Sequence, residues 1–519
     1  MSKLITADVA TSLIKDGMTI GVGGFVGFGV AEEVLISIEN KYITTGEPKN
    51  LTVFHCAGVG DGKTRGMNHL GHEGLIKRLI CGHVGLAPMV GSLCVENKIE
   101  CFIIPQGVCS HILRATAGRK PGLITHVGLK TYADPRNEAC KGNQAAIDSG
   151  HEVVELITVG GKDYMFYKSI PLDICFIRGT YADEAGNITM DKEALISDQL
   201  EMAMAAHNSG GIVVCQVEKM VQKGTLPSKD VKIPGFLVDY VVEAKAENHR
   251  QWFLDDEYHP ELVGDIRIPM GAIDPMALNP RKICGRRGAM LLKKGAVVNL
   301  GIGVPEAIAA VAGEEGCSDQ ITLSIESGVL GGVPTGGLGI GGTVNPDAMF
   351  KQPDCFDFYD GGGLDMAFLG SAEIDEKGNV NVSKFAGRMV GPGGFINITQ
   401  NAKIVGFCGT FTAGKMKCEI KDGKLNLIED APGIKFKKSV EQITYSAEYG
   451  VETGQTVYYI TERALFKLVP EGIELLEIAP GIDLQKHILD KMEFTPIMKD
   501  VKVMDERIFT DTLMKLSLE

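Results

Sequence analysis

Three glycine-rich stretches in the second half of the chain hold residues suited to chemistry at a carboxylate and an oxyanion. In ITLSIESGVLGGVPTGGLGIGG, from Ile321, strand-forming residues deliver Glu326 to a long glycine-rich segment that reads as too flexible for core. Its carboxylate should emerge at the strand's carboxyl end, where it can react or simply accept hydrogen bonds from its own loop. In KFAGRMVGPGGFINITQNAKI, from Lys384, the run Gly391-Pro392-Gly393-Gly394 lets backbone approach a ligand closely and offers an amide to an oxyanion. A plain β-turn is the other reading of that run. In GIGVPEAIAAV, from Gly301, a glycine turn with Pro305 at the first helical position leaves amides facing any bound anion. A tight strand-to-helix connection accounts for the same residues equally well. Neither GIGVPE nor the earlier GVGGFV has the GxGxxG spacing of a dinucleotide site, and there is no GK[ST] phosphate loop.

The elements that must position these stretches follow from hydrophobic periodicity. Short Val/Ile-rich runs such as ITLSI and IECFIIP alternate with helical patterns such as AEEVLISIENKY. That alternation predicts βαβ units around buried, mainly parallel sheets, an α/β fold with ligands gathered beyond the strands' carboxyl ends. The chain also repeats itself. LDICFIRGTYADEAGNI from Leu172 lies over LDMAFLGSAEIDEKGNV from Leu364 without a gap, pairing Asp173 with Asp365 and Asp183 with Asp375. A weaker match sets LTVFHCAGV from Leu51 over ITLSIESGV from Ile321 and puts Cys56 where the second copy has Glu326. Such a period is far too long for a solenoid, so two similar open α/β domains fused by duplication are expected. The prolines between Gly224 and Gly288 place the division, giving residues 1–223 as one domain, 224–288 as an irregular link and 289–519 as the other.

Composition bounds the function. A chain of 519 residues exceeds what one core sustains, and 44% apolar with 23% charged residues is ordinary for a globular protein. The net charge of −14 weighs against nucleic-acid binding, so an anionic ligand needs a local positive site. The first residues lack the pattern of a secretory signal and no apolar run approaches spanning length, so a cytoplasmic protein without membrane partners is expected. The 13 cysteines are scattered through apolar runs without zinc spacing, so no metal site is assigned and most should be small core residues.

Taken together, DGMTIGVGGFVGFGV, the GIGVP turn, the Glu-Ser-Gly after a strand and GPGGF resemble the family I CoA-transferases along essentially the whole chain. Within that family they resemble the fused-chain acetate or propionate enzymes of anaerobic bacteria. The resemblance implies that Glu326 is the nucleophile, that Gly301, Ile302, Gly303, Val304 and Pro305 form a CoA-facing loop, and that Gly394 is an oxyanion donor. It further suggests Gln106, after IECFIIP, as a side-chain donor facing the glutamate across the domain interface, although a turn residue fits as well. Gly370 and Lys415, the latter in TAGKMK, join as CoA contacts. Ser327 departs from the commoner Glu-Asn-Gly pattern, which bears on the choice of substrate.

The implied reaction moves CoA from acetyl-CoA or propionyl-CoA to acetate, propionate, lactate or butyrate. It runs by ping-pong steps through an acyl-glutamyl anhydride and a glutamyl-CoA thioester, with CoA as substrate and no tightly bound cofactor. Analogy adds a homotetramer. A thioester hydrolase in which the glutamate activates water, and a CoA-binding or assembly subunit without chemistry, are the competing readings.

Overall fold

The computed structural model describes residues 3–269 and 276–519. Contacts gather the chain into two compact units: Met1–Ile268 with Glu326–Asp357 and Gly387–Asn397, and Pro269–Ile325 with Phe358–Ala386 and Ile398–Glu519.

The first unit is built on eight strands: β1 (Leu4–Ile5), β2 (Thr19–Val22), β3 (Leu51–His55), β4 (Ile76–Cys81), β5 (Glu100–Ile103), β6 (Ile174–Arg178), β7 (Ile212–Val217) and β8 (Tyr240–Glu243). Their order is β1-β8-β7-β6-β2-β3-β4-β5, every neighbouring pair parallel. Parallel strands are covered on both faces, which is why β6 is buried at every residue and its Ile174-Cys175-Phe176-Ile177 reads as a continuous apolar run rather than an alternation, with the buried Arg178 at its end paired to Glu193. Three helices matter for the site: α1 (Glu32–Thr45), α2 (Gln106–Ala117) and α3 (Gln199–Asn208). Helix α1 stops at Gly46, whose φ of 71° closes the last turn in the left-handed region.

The second unit has α4 (Pro280–Ala289), β9 (Val297–Leu300), α5 (Glu306–Glu314), β10 (Thr322–Ser324), β11 (Met366–Gly370), β12 (Ile404–Cys408) and β13 (Thr456–Ile460). These strands run parallel in the order β10-β9-β11-β12-β13. The sheet continues through β14 (Ala464–Val469), β15 (Gly472–Ile478) and β16 (Ile497–Val503), with antiparallel pairs at β13–β14 and β14–β15. Helix α4 begins at Pro280 with the Asn279 side chain accepting from the Lys282 amide. It lies close on α5 because Gly285 has no side chain: a Cβ there would stand 2.7 Å from that of Ala307.

The duplication read from the sequence is written into the hydrogen bonds of each unit. Asp173 Oδ2 accepts from the Thr19 amide at 2.8 Å, and Asp365 Oδ2 from the Val297 amide at 2.9 Å. Asp183 accepts from the amides of Ala185 and Asn187, and Asp375 from those of Lys377 and Asn379. The Gly23 amide bonds Phe176 O on β6, as the Gly301 amide bonds Phe368 O on β11. Both sheets therefore share a switch point, between β2 and β6 in one and β9 and β11 in the other, where binding loops converge.

The division between the units differs from a simple cut at 224–288. That segment is not an irregular link: β8 completes the first sheet, Pro260 opens the helix Pro260–Val263, and Pro280 opens α4. Pro260 and Pro280 mark element starts, where a missing amide hydrogen costs nothing. Pro275 lies outside the described residues. Of the cysteines, all but Cys418 are buried. Among the described residues no helix is long and apolar enough to cross a membrane.

Candidate functional site

Glu326 stands in the turn that follows β10, half-buried, and begins the first excursion of the second half of the chain into the first unit. The buried Ser327 next to it donates its hydroxyl to Gly341 O at 2.7 Å, which pins the turn. Gly328 must be glycine: its φ is +103° and a Cβ would lie 2.3 Å from Phe350 O. The chain then forms a hairpin, with Val329 opposite Met349 and Leu330 opposite Ala348, extended by the Phe350 amide donating to Gly328 O at 2.7 Å. The glycine-rich stretch, expected to be too flexible for core, is ordered by these bonds, and Val329, Gly339, Gly341 and Gly342 are buried. Its glycines serve close approach: Phe25 and Phe28 of the loop after β2 lie where Cβ atoms on Gly341 and Gly342 would stand. Phe25, Phe28, Trp252, Leu195 and Val329 form one apolar cluster beside the hairpin.

The second excursion is Gly387–Asn397. Gly391, at φ +88°, passes so near Gly82 and His83 that a Cβ would stand 2.8 Å from Gly82 O. The Gly393 amide donates to Gly82 O at 3.0 Å, and Gly393 O in turn accepts from the Gln106 amide at 3.0 Å. Gly394 is buried and directly precedes the helix Phe395–Asn401.

Gln106 opens α2 after Pro105 and is 2% exposed. Its Nε2 donates to Gln352 Oε1 at 3.4 Å, while Gln352 Nε2 donates to Ser110 Oγ at 2.6 Å and to Asp198 Oδ2 at 3.2 Å. Asn397 Oδ1, from the second excursion, accepts from the Gly107 amide of α2, and α2 is held to the residues after Gln352 by His111 on Pro353 O and by Arg114 between Asp354 and Asp357. Glu326, Gln106 and Gly394 thus belong to one unit. The expectation of Gln106 in one domain and the glutamate in another is corrected, because the hairpin carrying the glutamate folds with the first unit.

Burial pushes the Asp198 carboxyl up to about 6. Burial, reinforced by the Asp198 carboxylate, also raises the Cys56 thiol, which hydrogen-bonds to Asp198. Cys56, the position matched to Glu326 in the repeat, therefore carries a protonated thiol rather than a reactive anion. Burial likewise lowers His55 and His83 to about 4, the latter helped by the charge of His55, so both are neutral near pH 7.

The remaining expected residues belong to the second unit. Gly301 follows β9 with its amide bonded to Phe368 O, Gly303 has φ +85°, and Ile302 is 61% exposed. Pro305 takes the position before α5 rather than its first residue, and the amides of Glu306, Ala307 and Ile308 bond the carbonyls three residues back. Fewer amides are thus left for an anion than the sequence implied. Arg281 Nη2 donates to Gly303 O at 2.7 Å and pairs with Glu306, a cation at this turn that the motif did not reveal. Gly370 ends β11, where a Cβ would meet nothing within 4 Å, and Lys415 is exposed in the turn after Thr412–Ala413. Gln352, Ser110 and Asp198 had no sequence signal, since buried polar partners obey no motif.

Comparison with known proteins agrees with this architecture. Residues 4–244 match the family model described as Coenzyme A transferase. Over 518 residues the chain is 46% identical to the caffeate CoA-transferase of Acetobacterium woodii, covering 98% of both. It is 42% identical over 514 residues to the acetate CoA-transferase YdiF of Escherichia coli O157:H7, covering 98% of this chain and 96% of that one. A crystal structure of the latter organism's acyl-CoA transferase YdiF as a thioester complex with CoA superposes with a TM-score of 0.94 at 42% identity, covering 100% of this chain and 98% of that one.

Proposed function

Because the chain belongs to the coenzyme A transferase family, we propose that it moves CoA from a short-chain acyl-CoA to a short-chain carboxylic acid through covalent intermediates on Glu326. The observation that carries this reading is the gathering of Glu326, Gln106 and the Gly393-Gly394 backbone into one unit, where Gly393 O accepts from the Gln106 amide. The solved YdiF relative is described as a thioester complex with CoA, which supports a covalent route.

In this mechanism the Glu326 carboxylate attacks the thioester carbonyl, expelling CoA thiolate and leaving an acyl-glutamyl anhydride. The thiolate then attacks the glutamyl carbonyl, forming glutamyl-CoA thioester and releasing the first acid. The incoming acid reverses both steps and restores the carboxylate. A carboxylate is a weak nucleophile, so the rate rests on orientation and on donors to the developing oxyanion. The Gly394 amide and the Gln106 side chain are assigned those roles, with Gly301–Pro305, Gly370 and Lys415 toward CoA.

Acetate, propionate and similarly small acids are favoured because bulky side chains, Phe25, Phe28 and Trp252, pack beside the hairpin that Glu326 begins. The caffeate relative makes the aromatic acid the informative competitor. The test is intact mass after incubation with acetyl-CoA alone. A CoA-sized adduct on the native chain, absent in Glu326→Gln, supports transfer. An unmodified chain that releases thiol without any acceptor acid would instead identify a hydrolase.

A further inference from the structure

A side-chain amide can face a ligand with either its donor or its acceptor end, and nothing intrinsic to glutamine chooses. At Gln106 the choice is made by its neighbours. Asp198, just before α3, accepts at Oδ2 from Ser110 Oγ at 3.3 Å and from Gln352 Nε2 at 3.2 Å. Gln352 Nε2 also meets Ser110 Oγ at 2.6 Å, so its amino end is committed to the Asp198 side. The carbonyl end is therefore the one that faces Gln106, which answers with Nε2 at 3.4 Å. That leaves Gln106 one further amide hydrogen. The four side chains are all at most 2% exposed, so no solvent intervenes to scramble the polarity.

We propose that Gln352 is a positioning residue: it transmits the hydrogen-bond polarity of the Asp198 carboxylate to Gln106 and so holds the Gln106 donor toward the acyl group on Glu326. This rests on the covalent role proposed for Glu326 and on the role of Gln106 as its side-chain donor. Gln352 is suited to it because the Phe350–Gln352 segment continues the hairpin paired with the Glu326 turn, so one strand end sets both groups. Lys351 fixes the segment through its ion pair with Glu201 at 2.5 Å.

The groups that face Asp198 are the Cys56 thiol from the turn after β3, Ser110 and the Cys109 thiol from α2, Glu201 from α3, and Gln352. Burial raises the Asp198 carboxyl to about 6, so above that pH the carboxylate only accepts and the polarity is set, whereas below it the protonated acid can also donate.

The experiment is single-turnover formation of the CoA adduct from acetyl-CoA, followed by intact mass in the native protein and three variants whose thermal melts confirm folding. Gln352→Met should slow adduct formation by roughly tenfold to a hundredfold while the half-saturating acetyl-CoA concentration stays within about twofold. Gln352→Glu, which opposes two carboxylates, should be slow as well. The double variant Asp198→Asn with Gln352→Glu restores a donor at 198 and keeps an acceptor facing Gln106, so it should recover most of the rate and lose the fall below about pH 6. Native-rate adduct formation in Gln352→Met, or a double variant no faster than Gln352→Glu, overturns the relay while leaving the covalent reading intact. Absence of an adduct in the native protein overturns both.

Discussion

Cys56 and Glu326 occupy the same place in the two copies of one strand-and-turn unit: each follows the strand that lies beside the one opening the switch point of its sheet, β3 beside β2 and β10 beside β9. One copy presents a thiol kept protonated by burial, and the other a half-buried carboxylate. Cys56→Ala should therefore leave transfer within about threefold of native, because a buried neutral thiol contributes packing rather than chemistry. Iodoacetamide at pH 8 should fail to label Cys56 in the folded chain, as peptide mapping would show. Rapid labelling with loss of activity would contradict the assignment of chemistry to Glu326 alone.

Two glycines should separate backbone strain from ligand space. Gly391→Ala forces a Cβ against Gly82 O at a φ of +88°, and should cost about 1–3 kcal/mol in denaturant unfolding together with most of the transfer rate. Gly370→Ala meets nothing within 4 Å, so its unfolding midpoint should be unchanged. If Gly370 faces CoA, KM for acetyl-CoA rises in that variant with kcat nearly constant.

Side chains beside the hairpin should set acceptor size. The Phe28 and Trp252 rings lie 5.8 Å apart, within the cluster that includes Val329. Trp252→Ala should admit larger acids, raising kcat/KM for caffeate relative to acetate by about tenfold or more, with about 3–5 kcal/mol lost in stability. An unchanged ratio would remove Trp252 from substrate choice.

A pH-dependent stability resides in the second unit. Arg463, fully buried, grips both oxygens of Asp430 at 2.7 and 2.9 Å and also bonds Glu462. Burial opposes the charge on Asp430, but the Arg463 contacts outweigh it and hold the carboxyl at about 2, below its ordinary 3.8. A depressed carboxyl stabilises the fold above the unfolded value and loses that contribution as pH falls through the folded one. Asp430→Asn should thus lower stability by about 1–2 kcal/mol at pH 7, with the gap closing between pH 4 and 2 in urea titrations. Asp430→Ala, which leaves the buried Arg463 guanidinium with Glu462 as its remaining carboxylate, should cost about 2–4 kcal/mol.

The paired halves were legible because the repeat carries polar turn residues, Asp183 and Asp375, whose bonds to neighbouring amides are local. Strand ends and glycine turns were legible for the same reason. The allotment of segments to units was not, since Val329 joins Phe28 and Trp252 by packing that no local pattern encodes. Nor was Gln352, which follows an unremarkable Phe350-Lys351 and acquires its partners only when α2 and α3 come together around it.

The two excursions, Glu326–Asp357 and Gly387–Asn397, mean that the halves of this polypeptide are not interchangeable modules. A piece ending at Ile268 would retain Gln106, Ser110 and Asp198 yet lack Glu326 and the Gln352 that bonds all three, and its hydrophobic patch around Phe28 would lose Val329. Severing the chain should yield a working catalyst only when both fragments are present together, so evolution could rearrange this protein by splitting it but not by discarding either portion.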